Sequence, residues 1–488
     1  MPGITPLKGF KLRDAQWQTD WGQLMMSCPD LSPWGAHILS DGLKHSAKSV
    51  VLESNYICKD YRNLYSNYYS KKFTPRPVDT NRLHFFSCPE VAIPELLLYP
   101  VDYRNHYLGY SVITPVKERC LGRTIVNPYR LVNANSSNSF YLTTQFGSHI
   151  NGVHFNVSGY PYIAQDRDVI VCAHSALWGV CRYLSERYPI YAEKYPFDLI
   201  QLTEHSMGRT YPLRGMYYAD YSHILSAFGA YPIIIKMKET VTSAEYIPSA
   251  FEDLYTYVES GFPVLASFPN HVVSIVGHTI DYNKPVTPDA HNLIDSSAFV
   301  KQFIVVDDNF FPYKLLGSDG DPDNYGNPYQ VNINSLKTAV CPLPEKVFLS
   351  SEKARSRSLD YLKAYRPQIE NLGSGPYVTR LFITTGTAWK RKILDNITRI
   401  RPVDDLSFLI SNINLPHFIW VLEVSPIDSY KKRMCAAVIV LDSTASEIEE
   451  SLIYMRVGNM LIFRQVQREF LSSPRHFAQF ANNLSERE

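Results

Sequence analysis

Three side chains in this 488-residue sequence have the types and chain order of a thiol acyl-transfer centre: Cys172, His271 and Asp307. A cysteine nucleophile must be held as a thiolate, a histidine must share its proton, and a third group must orient that histidine. Cys172 opens the segment CAHSALWGVCRYLSERY, whose apolar residues at 173, 176, 177, 180 and 184 form an amphipathic helical stripe. The unpaired N–H groups and partial positive charge at a helix start lower a thiol's pKa. In HVVSIVGH, strand alternation sends His271, Val273 and Ile275 to one face and Val272, Ser274, Val276 and His278 to the other. Only one of these histidines can face a given cleft, and His271 opens the strand where a cleft edge would lie. The segment FIVVDDN ends a further strand in carboxylates. Asp307 is the first candidate to orient His271. Asp308 is the second choice, since a bulge would exchange the two faces, and Asn309 is a weaker substitute.

These residues need a helix, two strands and the loops between them, and the chain around residues 155–315 supplies that pattern. Tyr217 to Phe228 reads as a helix ended by Gly229, YPIIIKMK as a buried strand, and Pro248 to Ser260 as a helix stopped by Gly261. PVLASF, HVVSIVGH and QFIVVDD read as strands, with the polar insertion NKPVTPDAHNLIDSSA between the last two as a surface loop. Upstream, residues 1–50 look irregular, Val51 to Phe73 looks helical and Tyr-rich, and short strands run on to about residue 160. Downstream, residues 350–365 form a polar helix. YVTRLFITTG, FIWVLEVS and CAAVIVLDST are strands, and WKRKILDNITRI is a basic helix. MLIFRQVQREFL fits a strand or a helix.

With Gln165 shortly before Cys172, the block from there through FEDLYTYVESGFPVLASFPNHVVSIVGHT to FIVVDDN resembles the papain-like cysteine peptidases. It is most similar to the group containing the peptidases that process bacteriocin leaders. The resemblance covers about residues 155–315. It implies Cys172 as nucleophile, His271 as general base and acid, Asp307 as orienting residue and the Gln165 side chain as an oxyanion donor. Gln165 stands seven residues before Cys172 where the family usually has six, and Cys172 is followed by Ala-His in place of the family's Gly-Pro or Trp. The transporter often fused to leader peptidases has no counterpart here, so the leader substrate does not carry over.

The expected fold is α+β, with a papain-like peptidase core between a β-rich N-terminal extension and an α/β C-terminal one. The expected domains are residues 1–150, 151–325 and 326–488. The expected function is hydrolysis of a peptide or isopeptide bond through a Cys-His-Asp triad and a thioester acyl-enzyme, with no cofactor and no metal. The rival readings are a Cys-dependent acyltransferase of transglutaminase type, an inactive papain-fold binding protein, and a nucleic-acid-associated protein.

The remaining sequence narrows these choices. Lys and Arg number 48 against 47 Asp and Glu, a net charge of +1, which excludes a globally basic nucleic-acid binder. The cluster Lys390, Arg391, Lys392, Arg399 and Arg401 reads as a solvated helix face. Asp319, Asp321 and Asp323 are spaced like the first ligands of a calcium loop. Asn324 and Gln330 stand where such a loop wants Gly and Glu, so an acidic turn is expected. The eight cysteines are scattered without Cys-x-x-Cys, which points to reduced, buried thiols, with Cys181 as packing. His174 is expected on the helix surface and His278 as a satisfied strand-end residue. No signal-peptide pattern and no 18-residue apolar run occur, so a cytoplasmic protein acting on a peptide or protein substrate, away from membranes, is expected.

Overall fold

A computed structural model describes residues 6–132, 138–166, 168–202, 216, 218–237, 247–316, 331–373, 375–399, 405–446, 449–463, 466–470, 473–481 and 483–486. The protein is α+β, with three larger sheets that are almost wholly antiparallel. The acidic run at 319–323 and Arg401 lie outside the described residues.

The first sheet is a meander of Leu7–Lys11, Ser49–Tyr56, Thr80–Phe86, Tyr107–Ile113 and Leu121–Val126, paired in chain order. Residues 1–50 are more regular than their Gly and Pro content suggests, with helices at Trp17–Ser27 and Pro33–Leu43. The stripe Trp17, Trp21, Leu24 is buried, the two indoles stacking at 5.5 Å, and Ser32 caps the second helix by accepting from Gly35 N–H. The start of the segment expected to be helical, Val51 to Tyr56, lies instead in the strand Ser49–Tyr56. Its run Val50, Val51, Leu52 is buried on both faces, and such a run carries no period to separate strand from helix. The helix starts only at Lys59, ending at Asn67.

The central sheet runs in the order Lys314–Leu316, Val300–Val306, His271–Ile280, Val264–Phe268, Thr338–Pro344, Ala230–Lys236. Ser139–Tyr141 also pairs with the His271 strand, and Ser485–Glu486 pairs with Ser139–Tyr141. Gly277 is required at the branch, because a Cβ there would lie 2.1 Å from the Phe140 carbonyl oxygen. The helix Cys172–Arg187 lies against the His271 strand, where Ser274 Oγ donates to the Ala176 carbonyl at 3.3 Å.

The third sheet runs Leu293–Asp295, Tyr377–Thr385, Phe418–Pro426, Ala437–Asp442, Leu452–Val457, Met460–Phe463, Val466–Glu469. Its first strand, the one parallel neighbour, comes from the insertion expected to be a surface loop. Leu293 and Ile294 are its only adjacent large aliphatic residues, and both are buried against Tyr377 and Val378. MLIFRQVQREFL resolves into two strands.

A buried charge cluster joins the second and third sheets. Arg380 donates from Nε to Glu259 at 2.7 Å and from Nη1 to Glu423 at 2.8 Å, and His278 Nε2 meets Glu259 at 2.6 Å. His278 is therefore an interior strand residue, partnered on one nitrogen, rather than a strand end. Among the described residues no helix is long and apolar enough to cross a membrane.

Candidate active site

Cys172 is the first residue of a 16-residue helix whose N-cap, Val171, has extended backbone. The Val171 carbonyl accepts from His174 and Ser175 N–H at 2.9 and 3.1 Å, closing the first turn, which contains no acidic residue. From Ala173 to Leu184 every residue is buried, so the helix is enclosed on all sides and not amphipathic. That overturns the surface placement of His174. It is 2% exposed with no hydrogen bond on either ring nitrogen, and burial lowers its pKa to about 4, leaving a neutral imidazole. Cys172 itself stays partly exposed, whereas Cys181 is fully buried, and all eight cysteines are free thiols.

His271 opens its strand, and Asp307 follows the end of the adjacent strand Val300–Val306. Ser274 pairs with Val306 in the register of these strands, which brings the two side chains together. His271 Nε2 lies 2.9 Å from Asp307 Oδ2, off the angle of an aligned hydrogen bond, so the contact is chiefly between charges. The Cys172 thiol lies near enough to this imidazole to favour its protonated form. Burial pulls the pKa of His271 down, but Asp307 and the Cys172 contact outweigh it and hold the imidazole well above its ordinary value.

Asp307 is itself fixed by the turn that follows, its Oδ1 accepting from Asn309 N at 2.9 Å and Asn309 Nδ2 at 3.2 Å. Asp308 does not take the orienting position. Its backbone carbonyl accepts from Tyr162 O–H at 3.1 Å, while both carboxylate oxygens are buried without a hydrogen bond. Burial first and the adjacent Asp307 second push its pKa up to about 7. Atoms of His271, Asp307 and Asp308 lie within 4.8 Å of one another, so this is the group that could hold a cation among the described residues.

Gln165 reaches the same turn, its Nε2 donating to Asn309 Oδ1 at 3.5 Å. The loop from Gln165 to Cys172 is organised by residues that sequence reasoning missed. Asp166 Oδ1 accepts from the N–H groups of Asp168, Val169 and Ile170 at 3.0, 2.7 and 2.7 Å, a ring of donors that folds the loop around one carboxylate. Its Oδ2 accepts from Tyr69 O–H at 2.5 Å, and Asp168 pairs with Lys72 at 2.5 Å and Arg76 at 3.5 Å. Asp166 and Asp168 carried a local signal, an Asp two residues before another Asp at a helix approach. Tyr69 carried none, being 97 positions away.

No family model matches this sequence, and no curated protein matches it. What the site can do follows from its geometry: a thiol at a helix start, an imidazole within reach of it, a carboxylate behind the imidazole and an amide near the approach loop. Nothing else among the described residues combines a partly exposed thiol with an imidazole partner.

Proposed function

We propose that the chain is a papain-like cysteine peptidase that hydrolyses a peptide or isopeptide bond. The observation that carries this reading is His271 paired at 2.9 Å with buried Asp307, with the Cys172 thiol of the helix start close enough to favour the protonated ring. An imidazole held protonated by a buried carboxylate stabilises a thiolate beside it, and the helix start adds its positive end. The thiolate attacks the substrate carbonyl, forming the S–C bond and placing negative charge on the oxygen. The Cys172 N–H and the Gln165 amide are the donors proposed for that oxyanion, each worth a factor of about 10²–10³ in rate. His271 gives its proton to the leaving amine as the C–N bond breaks. It then takes one from water, which attacks the thioester and releases the acid and the Cys172 thiol. Asp307 holds the ring and its charge throughout and does not itself exchange a proton.

The test is labelling with iodoacetamide at pH 7 followed by peptide mapping. Cys172 is expected to label faster than the other seven cysteines, and Cys172→Ala to abolish cleavage of a peptide library without changing the melting temperature. Uniform slow labelling, or cleavage by Cys172→Ala, refutes the proposal. Products formed with and without an added amine separate hydrolysis from amide transfer.

A further inference from the structure

A second hydrophobic core, separate from the main one, lies between the third sheet and the helices Gly386–Arg399 and Asp405–Ser411. It is not completely filled. A pocket of about 210 Å³ opens into it, walled on one side by residues 474–480, which the pairing of Phe477–Ala478 with Met434–Cys435 pins in place. Exposure separates floor from rim. Ile410, Val438 and Phe480 are each 2% exposed or less and form the floor. Ile393, Met434 and Phe477 are half-buried, so they offer apolar surface that a molecule entering from solvent can reach.

The charged groups of the pocket have one sign. Trp389, Lys392 and Ile393 stand at i, i+3 and i+4 of their helix and share the face that lines it. Lys392, read from the sequence as part of a solvated face, is thus half-buried at the rim, and so is His476. Among the described residues neither has an ion pair or a hydrogen bond. Arg456 also lines the pocket but is committed to its wall, donating to the Gly458 and Pro474 carbonyls at 2.9 and 3.1 Å and to Ser407 Oγ at 3.3 Å. Among the described residues no Asp or Glu lines the pocket. An apolar hollow with an ammonium and an imidazole at its rim matches a molecule that has an apolar body and an anionic end. An engineered apolar cavity of roughly 150 Å³ admits benzene, so 210 Å³ holds about eight carbons at the same packing. Without a guest, the walls forfeit the contacts that a packed core makes.

We propose that this pocket binds a medium-chain fatty acid, with its acyl chain against Ile393, Met434 and Phe477 and its carboxylate at Lys392 and His476. The proposal is independent of the chemistry assigned to Cys172. The test is isothermal titration of the full chain with the straight-chain acids from butanoate to decanoate, with octanol as the uncharged partial ligand and phosphatidylglycerol vesicles as the rival occupant. Affinity is expected to rise about fourfold per added methylene up to about eight carbons and then to level. Octanoate is expected to bind at least about fivefold tighter than octanol, and more weakly as salt rises. Lys392→Met keeps the apolar stem and removes the charge. It is expected to weaken octanoate about fivefold or more and to leave octanol unchanged. Ile410→Phe adds a ring to the floor and is expected to shorten the longest chain that still gains affinity. The proposal is overturned if octanoate fails to bind at millimolar concentration, if octanol binds as tightly, or if Lys392→Met binds octanoate like the parent. It is equally overturned if the chain binds the vesicles but not soluble octanoate, which would make this face a membrane contact instead.

Discussion

Replacing Asp307 by Asn isolates the charge behind His271 with almost no change in shape. Asn keeps an acceptor for Asn309 N–H, so the turn that fixes residue 307 retains its main bond. The loss is the attraction across 2.9 Å between two groups that are 8% and 1% exposed. At an effective dielectric of about 20, that separation corresponds to about 6 kcal/mol, or about four pKa units. Burial, which opposes the charged imidazole, is unchanged in the variant, and Asp308 offsets only part of the loss. The His271 titration is therefore expected to drop by about four units, from about 11 to about 7. Nitrogen-15 NMR of the imidazole resonances reads that shift directly. Iodoacetamide labelling of Cys172 at pH 7 is expected to slow severalfold and kcat/KM to fall about tenfold or more, since the ring is then only about half protonated and the charge that held it is gone. If Asp307→Asn leaves the titration and labelling unchanged, or if Asp308→Asn alters them more, the roles given to the two carboxylates are wrong.

Three further outcomes are expected. Asp308 has a raised pKa in the folded chain, so folding favours its protonated form and its penalty grows as pH rises from about 4 to about 7, then levels off. Asp308→Asn should raise stability at pH 8 by about 2–4 kcal/mol and leave it unchanged at pH 4, as measured by urea unfolding at the two pH values. Tyr69→Phe removes the hydroxyl bonded to Asp166. It should lower stability by about 1–3 kcal/mol and kcat about tenfold while leaving iodoacetamide labelling of Cys172 near the parent rate, a split that stopped-flow acylation and mass spectrometry can read. Arg380→Met leaves Glu259 and Glu423 facing each other without their shared cation. Denaturant melts should show a loss of about 3–5 kcal/mol.

The candidate site was legible where chemistry and period coincide. The Cys172 stripe marked a helix, and alternation placed His271 at the mouth of a strand. The sequence ranked Asp307 ahead of Asp308 and left the second open, because the choice depends on a register that only pairing with the neighbouring strand sets. His174 was misplaced because a stripe identifies one buried face and is silent about a second layer. Here that second layer is the hairpin Thr144–Ile150 and Val153–Gly159, whose Phe146 lies beneath Arg182. The stretch from Val51 was misread because Val50, Val51 and Leu52 are buried on both sides. The latch from Tyr69 to Asp166 and the cluster around Arg380 are contacts between distant segments, which no local pattern encodes.

The strand Thr338–Pro344 sits inside the central sheet, flanked by Val264–Phe268 and Ala230–Lys236, and Ser485–Glu486 borders the same sheet through Ser139–Tyr141. A fragment ending near residue 325 would thus lack an interior rung and expose two long hydrophobic edges to other chains. Excision of the Cys172–Asp307 segment for expression on its own should give aggregates.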